Sequence, residues 1–172
     1  MAIEIVRVRP DHPDAAGLVE ELDAHLQPLY PVASRHGFSV ARLLDEAVDF
    51  FVLRVAGVPA ACGGILVVGP RDCVPGVRPA GPDANIGREP GYGEIKRMFV
   101  RPAFRGTGLG RRVLEHLSAH ARDRGVTLLR LETGIHQHAA IRLYERAGFH
   151  RIAPFGPYTD DPVSRCYEKR VG

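Results

Sequence analysis

Arg105-Gly106-Thr107-Gly108-Leu109-Gly110 sets three glycines at alternate positions behind an arginine, directly after an apolar run and directly before a helix-forming one. Glycine lets the backbone turn tightly and come close to a ligand. The first turn of the following helix presents unpaired N–H groups at the positive end of its dipole. Together these features make a cradle for a pyrophosphate. Arg105, Arg111 and Arg112 add mobile positive charge around it, suited to a ligand with several phosphates. The bland alternative is a tight strand-to-helix connection. Other phosphate loops fit poorly: a Walker loop needs Lys followed by Ser or Thr, where Arg111-Arg112 stand, and a dinucleotide fingerprint from Gly106 needs glycine at 111.

The basic residues of this 172-residue chain, net charge +3 and pI about 9.0, concentrate from Lys96 to Arg124. Such a run is either a solvated face or a polyanion site, and charge alone does not choose between nucleic acid and a phosphorylated ligand. Aromatic interleaving and a recognisable reading helix are missing, so nucleic acid is not the expected partner.

His116 and His120 share a helix face at i, i+4, but Leu117 stands where a metalloprotease motif places Glu, and no metal is expected. His136 and His138 sit two apart, a poor spacing for a helix face. No GxSxG elbow occurs. Cys62, Cys73 and Cys166 lie far apart without a CxxC pair and read as small buried hydrophobes in a reducing cytosol. The N-terminal MAIEIVRVRP alternates like a strand and not like a signal peptide, and no apolar run approaches the ~20 residues of a membrane span. A cytoplasmic protein with no membrane partner is expected.

These groups must be positioned by regular elements. Residues 3–9 alternate as a strand. Asp11 and Pro13 open a helix striped by Leu18, Leu22, Leu26 and Leu29, which stops at Pro31. Ser39 caps a short second helix through Ala47. Runs 49–55 and 59–68, parted by Gly57, read as a hairpin. Residues 69–93 hold five prolines and six glycines and form an insertion between strands, a candidate lid. A strand at 94–100 feeds the glycine turn and a helix to Arg124, with Leu109, Val113, Leu114, Leu117 and Ala121 inward. A strand at 127–133, a helix striped by Ala140, Leu143, Tyr144 and Ala147, and strands near 149–154 and 163–170 finish a single α/β domain spanning 1–172. The order is β-α-α-β-β-β-α-β-α-β-β.

On these residues the chain resembles the GNAT superfamily of N-acetyltransferases. Its signature is Arg or Gln, two residues, Gly, one residue, then Gly or Ala, matched by Arg105, Gly108 and Gly110. Met98-Phe99-Val100-Arg101-Pro102 and Ala140-Ile141-Arg142-Leu143-Tyr144-Glu145-Arg146-Ala147-Gly148-Phe149 are similar to other segments of the family, over about residues 94–170. The resemblance implies a mixed, mostly antiparallel sheet of six to seven strands flanked by about four helices. It implies acetyl-coenzyme A as co-substrate, with its pyrophosphate on the amides of Arg105, Gly106, Thr107, Gly108, Leu109 and Gly110, and Arg111 beside them. The backbone of Met98, Phe99 and Val100 would pair with the pantetheine arm. Gln137 stands where many members carry Asn, and its amide could still reach the cofactor.

The same resemblance implies direct transfer of acetyl to a primary amine, with Glu94 as general base, directly or through water, and Tyr144 as general acid toward the coenzyme A sulfur. A salt-bridged strand carboxylate is the plain alternative for Glu94. Glu132 and Tyr158, with the acidic Asp160-Asp161 loop, read as acceptor-binding material suited to a cationic amine. Amino acids, polyamines, aminoglycoside-like drugs, peptide N-termini and protein lysines all stay open as acceptors, as does a homodimer through paired sheet edges. A non-catalytic coenzyme A-binding sensor is the competing reading.

Overall fold

Asp49–Val55 reads DFFVLRV, a nearly unbroken apolar run, because both of its faces are covered. Phe51, Leu53 and Val55 enter a core cluster with Val113, Leu114 and Leu117, while Phe50 and Val52 enter a second with Leu18, Leu22 and Leu43. A sheet with helices on both sides needs such continuous hydrophobic strands. The following turn holds Ala56 (φ 49°) and Gly57 (φ 81°), two left-handed residues in a row, which is the geometry that joins twisted strands through two residues.

In this computed structural model residues 2–72 and 88–172 are described. Nine strands and four α-helices follow one another: β1 (Ile3–Val8), α1 (Pro13–Leu26), α2 (Val40–Asp45), β2 (Asp49–Val55), β3 (Val58–Val68), β4 (Arg71–Asp72), β5 (Arg88–Glu89), β6 (Tyr92–Val100), α3 (Leu109–Asp123), β7 (Leu128–Gly134), α4 (His138–Arg146), β8 (His150–Ile152) and β9 (Ser164–Arg170). Seven strands form one sheet in the order β1-β2-β3-β6-β7-β9-β8, and β4 with β5 make a two-stranded ribbon. Only the β6–β7 pair is parallel; the other neighbours in the sheet run antiparallel. The expected element order holds, with the ribbon added inside the Gly/Pro-rich segment. Most of that insertion, residues 73–87, lies outside the described residues, and the lid expectation with it.

The hydrophobic face of α3 is the one expected: Leu109, Val113, Leu114, Leu117 and Ala121 are all buried. The first helix ends earlier than its leucine stripe suggests. It closes at Leu26, and Leu29 lies in the turn beyond. Pro28 is the reason, since it offers no N–H to Ala24 and disfavours helical backbone in the residue before it. The second helix likewise stops at Asp45, and Ala47 turns left-handed at φ 53°.

Ser39 caps α2 as expected, its hydroxyl accepting from Arg42 N at 3.2 Å. Removing that acceptor leaves an orphan donor in a six-residue helix. Ser39→Ala is expected to cost about 1 kcal/mol, lowering the thermal midpoint by roughly 2–4 °C. An unchanged melting curve would mean that water replaces the cap without loss.

Candidate active site

Strand β6 is where the sheet opens. Its pairing with β7 runs only from Gly93↔Leu129 to Ile95↔Leu131, although both strands continue for several residues. On its other side the register against β3 slips between Cys62↔Phe99 and Gly64↔Lys96, so Arg97 and Met98 oppose a single residue. Arg97 sits at φ 55°, a left-handed position for a non-glycine residue. Such a bulge kinks the strand and increases its twist. The strands splay, and the β6 backbone from Lys96 onward is turned toward the gap.

Two cavities occupy the splay. The first, about 560 Å³, is bounded by Met98, Phe99 and Val100 on one wall, by Gln137, His138, Ala139, Ala140 and Leu143 on the other, and by Arg105, Gly106, Gly108, Leu109 and Gly110 at its end. Gly108 caps α3 in the left-handed conformation (φ 82°), and no side chain caps this helix end. Gly106 is left-handed too, at φ 79°. A Cβ built on either would meet no atom within 4 Å, so the left-handed backbone and not crowding is what calls for glycine there. Gly110 does different work: its Cβ would lie 3.2 Å from Leu143, so its smallness lets α3 and α4 pack. A polyphosphate fits this end on three counts, namely bare helical N–H groups, positive dipole and open space above the glycines.

Nine of the eleven residues expected at the cofactor thus border one cavity. Thr107 and Arg111 do not. The Thr107 hydroxyl closes the turn onto Phe104 O at 2.6 Å, and Arg111 pairs with Glu115 at 2.7 Å along the exposed side of α3. Arg105 donates to Val100 O at 3.1 Å and leans over the Phe99 ring, which ties the loop to β6.

The second cavity, about 500 Å³, is bordered by Tyr30, Phe38, Lys96, Glu132 and Tyr158 among others. Glu132, on β7, accepts from Ser164 Oγ at 2.6 Å. Burial raises its pKa above the usual carboxylate range, with the serine bond pulling the other way. Glu94 is buried behind this wall. Its Oε1 accepts from Lys96 Nζ at 2.5 Å and from the Tyr158 hydroxyl at 2.6 Å, and Lys96 Nζ also donates to the Tyr158 oxygen at 2.7 Å. Burial lowers the Lys96 pKa although Glu94 pulls it upward. The ammonium also lies 4.1 Å from the centre of the Phe38 ring, a cation–π contact. Glu94, Lys96 and Tyr158 therefore form one closed unit.

Tyr144 borders both cavities, as do Gln137, Met98 and Leu22. Its ring is buried edge-on against Phe149. Burial, with the charge of Glu132 in addition, pushes its phenol well above the ordinary tyrosine value. Among the described residues its hydroxyl has no hydrogen-bond partner. A buried tyrosine usually satisfies its O–H. Here the group is left to whatever fills the junction.

The roof of this second cavity was not legible in the sequence. The stretch between α1 and α2 crosses the opening as a strap. Tyr30 accepts from His136 N at 2.9 Å, and its ring occupies the place that a side chain at position 134 would need, which glycine vacates. His36 Nε2 meets Asp161 Oδ2 at 2.6 Å, and Ser34 donates to the same carboxylate. These are long-range contacts from a segment without periodicity. Only the tyrosine, histidine and arginine content of 30–36 hinted at them.

The histidine pair on α3 has a structural role. His116 and His120 both stack edge-on against Phe51, and His120 Nε2 lies 2.7 Å from Asp49 Oδ2, a carboxylate that Arg7 and Arg124 also engage. Among the described residues no three His, Cys, Asp or Glu side chains could hold a metal ion. Cys62 is fully buried, with its thiol pushed up to about 12 by burial. No described helix is long and apolar enough to cross a membrane.

The Acetyltransferase (GNAT) family model matches residues 17–149. The IAA acetyltransferase of Azospirillum brasilense is 39% identical over 167 residues, covering 97% of each chain. A Klebsiella pneumoniae structure provisionally classed as an acyl-CoA N-acyltransferase superposes with TM-score 0.72 at 31% identity, covering 99% of this chain and 98% of that one. A Salmonella typhimurium protein solved with its cofactor acetyl-CoA shares the fold at TM-score 0.63 and 19% identity, over 100% and 95% of the two chains.

Proposed function

The chain belongs to the acetyltransferase (GNAT) family, and from that premise we propose that it moves an acetyl group from acetyl-coenzyme A directly to a primary amine held in the cavity beside Glu132. Acetyl-coenzyme A supplies the acyl group as a thioester and leaves as the thiol. The amine nitrogen forms the new C–N bond and the C–S bond breaks; an entering ammonium sheds two protons on becoming an amide, one equivalent reaching the sulfur and one leaving to solvent by way of Glu132. The residues of this chain have three tasks.

The amides of the Arg105–Gly110 turn and the first turn of α3 hold the phosphates, and the exposed edge of Met98–Val100 holds the arm between them and the junction. Tyr144 donates its phenolic proton toward the departing sulfur. Glu132 receives the ammonium and takes its proton, since it borders the cavity and burial makes it a better base than a solvated carboxylate. Glu94 has a second claim to that proton, by the resemblance of its strand position. Its Oε1 already accepts two bonds, which supports a role in positioning Lys96 and Tyr158.

One observation carries this reading: the buried Tyr144 presents a hydroxyl with no partner among the described residues where a glycine-rimmed cavity meets a carboxylate-bearing one. Calorimetry with acetyl-coenzyme A and thiol release over an amine panel test it together. Binding with turnover is expected. Binding without turnover on any amine would make the protein a coenzyme A sensor instead.

The grip on phosphate has its own test. Gly108→Val places a β-branched residue at φ 82°, which disturbs the turn that aims the helix amides. The left-handed conformation alone costs about 1–2 kcal/mol, and the ligand loses its close approach. Acetyl-coenzyme A should bind at least about tenfold more weakly, or roughly 1.4 kcal/mol. Unchanged affinity in a folded variant would move the grip elsewhere.

A further inference from the structure

The charged groups around the acceptor cavity are mostly answered within the protein. Lys96 has Glu94, Arg97 has Asp23 at 2.6 Å, and His36 has Asp161. Among the described residues three are not answered. Glu132 accepts only from the Ser164 hydroxyl. Arg35, on the strap, donates only to main-chain carbonyls, Tyr30 O at 3.0 Å and Gln27 O at 3.3 Å. Glu20 stands exposed on the rim, as Arg35 does. The unanswered charge inside the cavity is therefore negative, and the one unanswered cation lies at its mouth.

Tyr30 gives the spacing. Arg35 bonds its backbone carbonyl, while its hydroxyl lies at His136 N, near enough for the charge of Glu132 to act on it. The carboxylate and the guanidinium thus stand at opposite ends of one tyrosine. Tyr30, Phe38 and Tyr158 supply apolar wall between them.

We propose that the acceptor is a zwitterion whose amine and carboxylate are separated by a short chain, the amine entering toward Glu132 and the carboxylate held at the rim by Arg35. This rests on the reading of the cavity as the acceptor site. A guanidinium matches a carboxylate with two parallel N–H bonds, which a lysine could not offer. The backbone carbonyl and the hydroxyl of one tyrosine stand farther apart than the ends of an α-amino acid. An ω-amino acid or a dipeptide reaches them.

The test uses the full chain and three probes: 5-aminopentanoate, its amide, and butylamine. The acid should exceed both others in kcat/KM by about fivefold, a modest factor because Arg35 is exposed, and the gap should narrow in about 0.5 M salt. In Arg35→Gln the ratio of acid to amide should fall to about one, and Arg35→Lys should keep part of it. Calorimetry with coenzyme A present should show the same order in binding. An acid no better than its amide in the wild-type protein overturns the clamp while amine transfer stands, as does a preference that survives Arg35→Gln. Failure of all three probes, with coenzyme A still bound, overturns the clamp and the choice of acceptor cavity together.

Discussion

Tyr144→Phe is expected to lower kcat about a hundredfold, near the lower end of what a positioned proton donor contributes, while the affinity for acetyl-coenzyme A changes less than about twofold. The ring stays, so its packing on Phe149 and its place in the core stay. The hydroxyl has no partner to lose among the described residues, so its removal orphans no protein group and costs little stability. The raised pKa cuts two ways. It keeps the phenol protonated throughout the neutral range, so the donor is always loaded. It also makes full transfer to a sulfur of ordinary thiol acidity, pKa ~8.5, uphill, so the tyrosinate must be reprotonated as the amine sheds its proton. In the proposed donor role the first contribution of Tyr144 is then a hydrogen bond that strengthens as charge grows on sulfur. Unchanged turnover in the phenylalanine variant would end the proton-donor role.

Glu132→Gln should have an effect of similar size, read through pH. A base works deprotonated, so its rate contribution is present above its pKa and lost as pH falls through it. Burial raises the Glu132 pKa, which sets the acid limb of kcat/KM above the ~4.3 of a solvated glutamate. Glutamine keeps the shape and an acceptor for Ser164 but cannot take a proton. The expected result is a loss of about a hundredfold near neutral pH with that limb gone. Glu94→Gln separates the two carboxylates. It deprives the buried Lys96 of its counter-ion and should weaken the fold, since a lone buried charge is expensive. Its acid limb should survive. If Glu94→Gln abolishes the limb and Glu132→Gln keeps it, the base is Glu94.

Both variants depend on residues whose convergence has no local signature. Glu132 sits mid-strand directly after Leu131, and the role proposed for it comes from bordering the same cavity as Tyr144, which α4 delivers twelve residues later. Glu94 reads in sequence as the residue that begins a strand. In the fold it is the third residue of β6, enclosed by Lys96 and by Tyr158 from sixty-four residues away. The first helix shows the same limit at smaller scale: apolar spacing carries the stripe to Leu29, whereas a single proline ends the helix at Leu26.

What the sequence determined by itself is the glycine turn ahead of α3 and the order of elements, because both are written in short range. Two left-handed glycines, a helix without a side-chain cap and a 3.6-residue apolar stripe act over a few bonds, and each can be read from adjacent residues. Tertiary structure alone decided where the sheet opens and what stands around the opening. The bulge at Arg97 puts a non-glycine residue in a left-handed conformation that no local preference favours, held by the guanidinium's bonds to Val19 O and Asp23 on α1. That contact spans more than seventy residues of chain. The splay it accompanies brings Tyr144 and Glu132 to one gap and lays the Arg35 strap across it, and only packing between distant segments could do so.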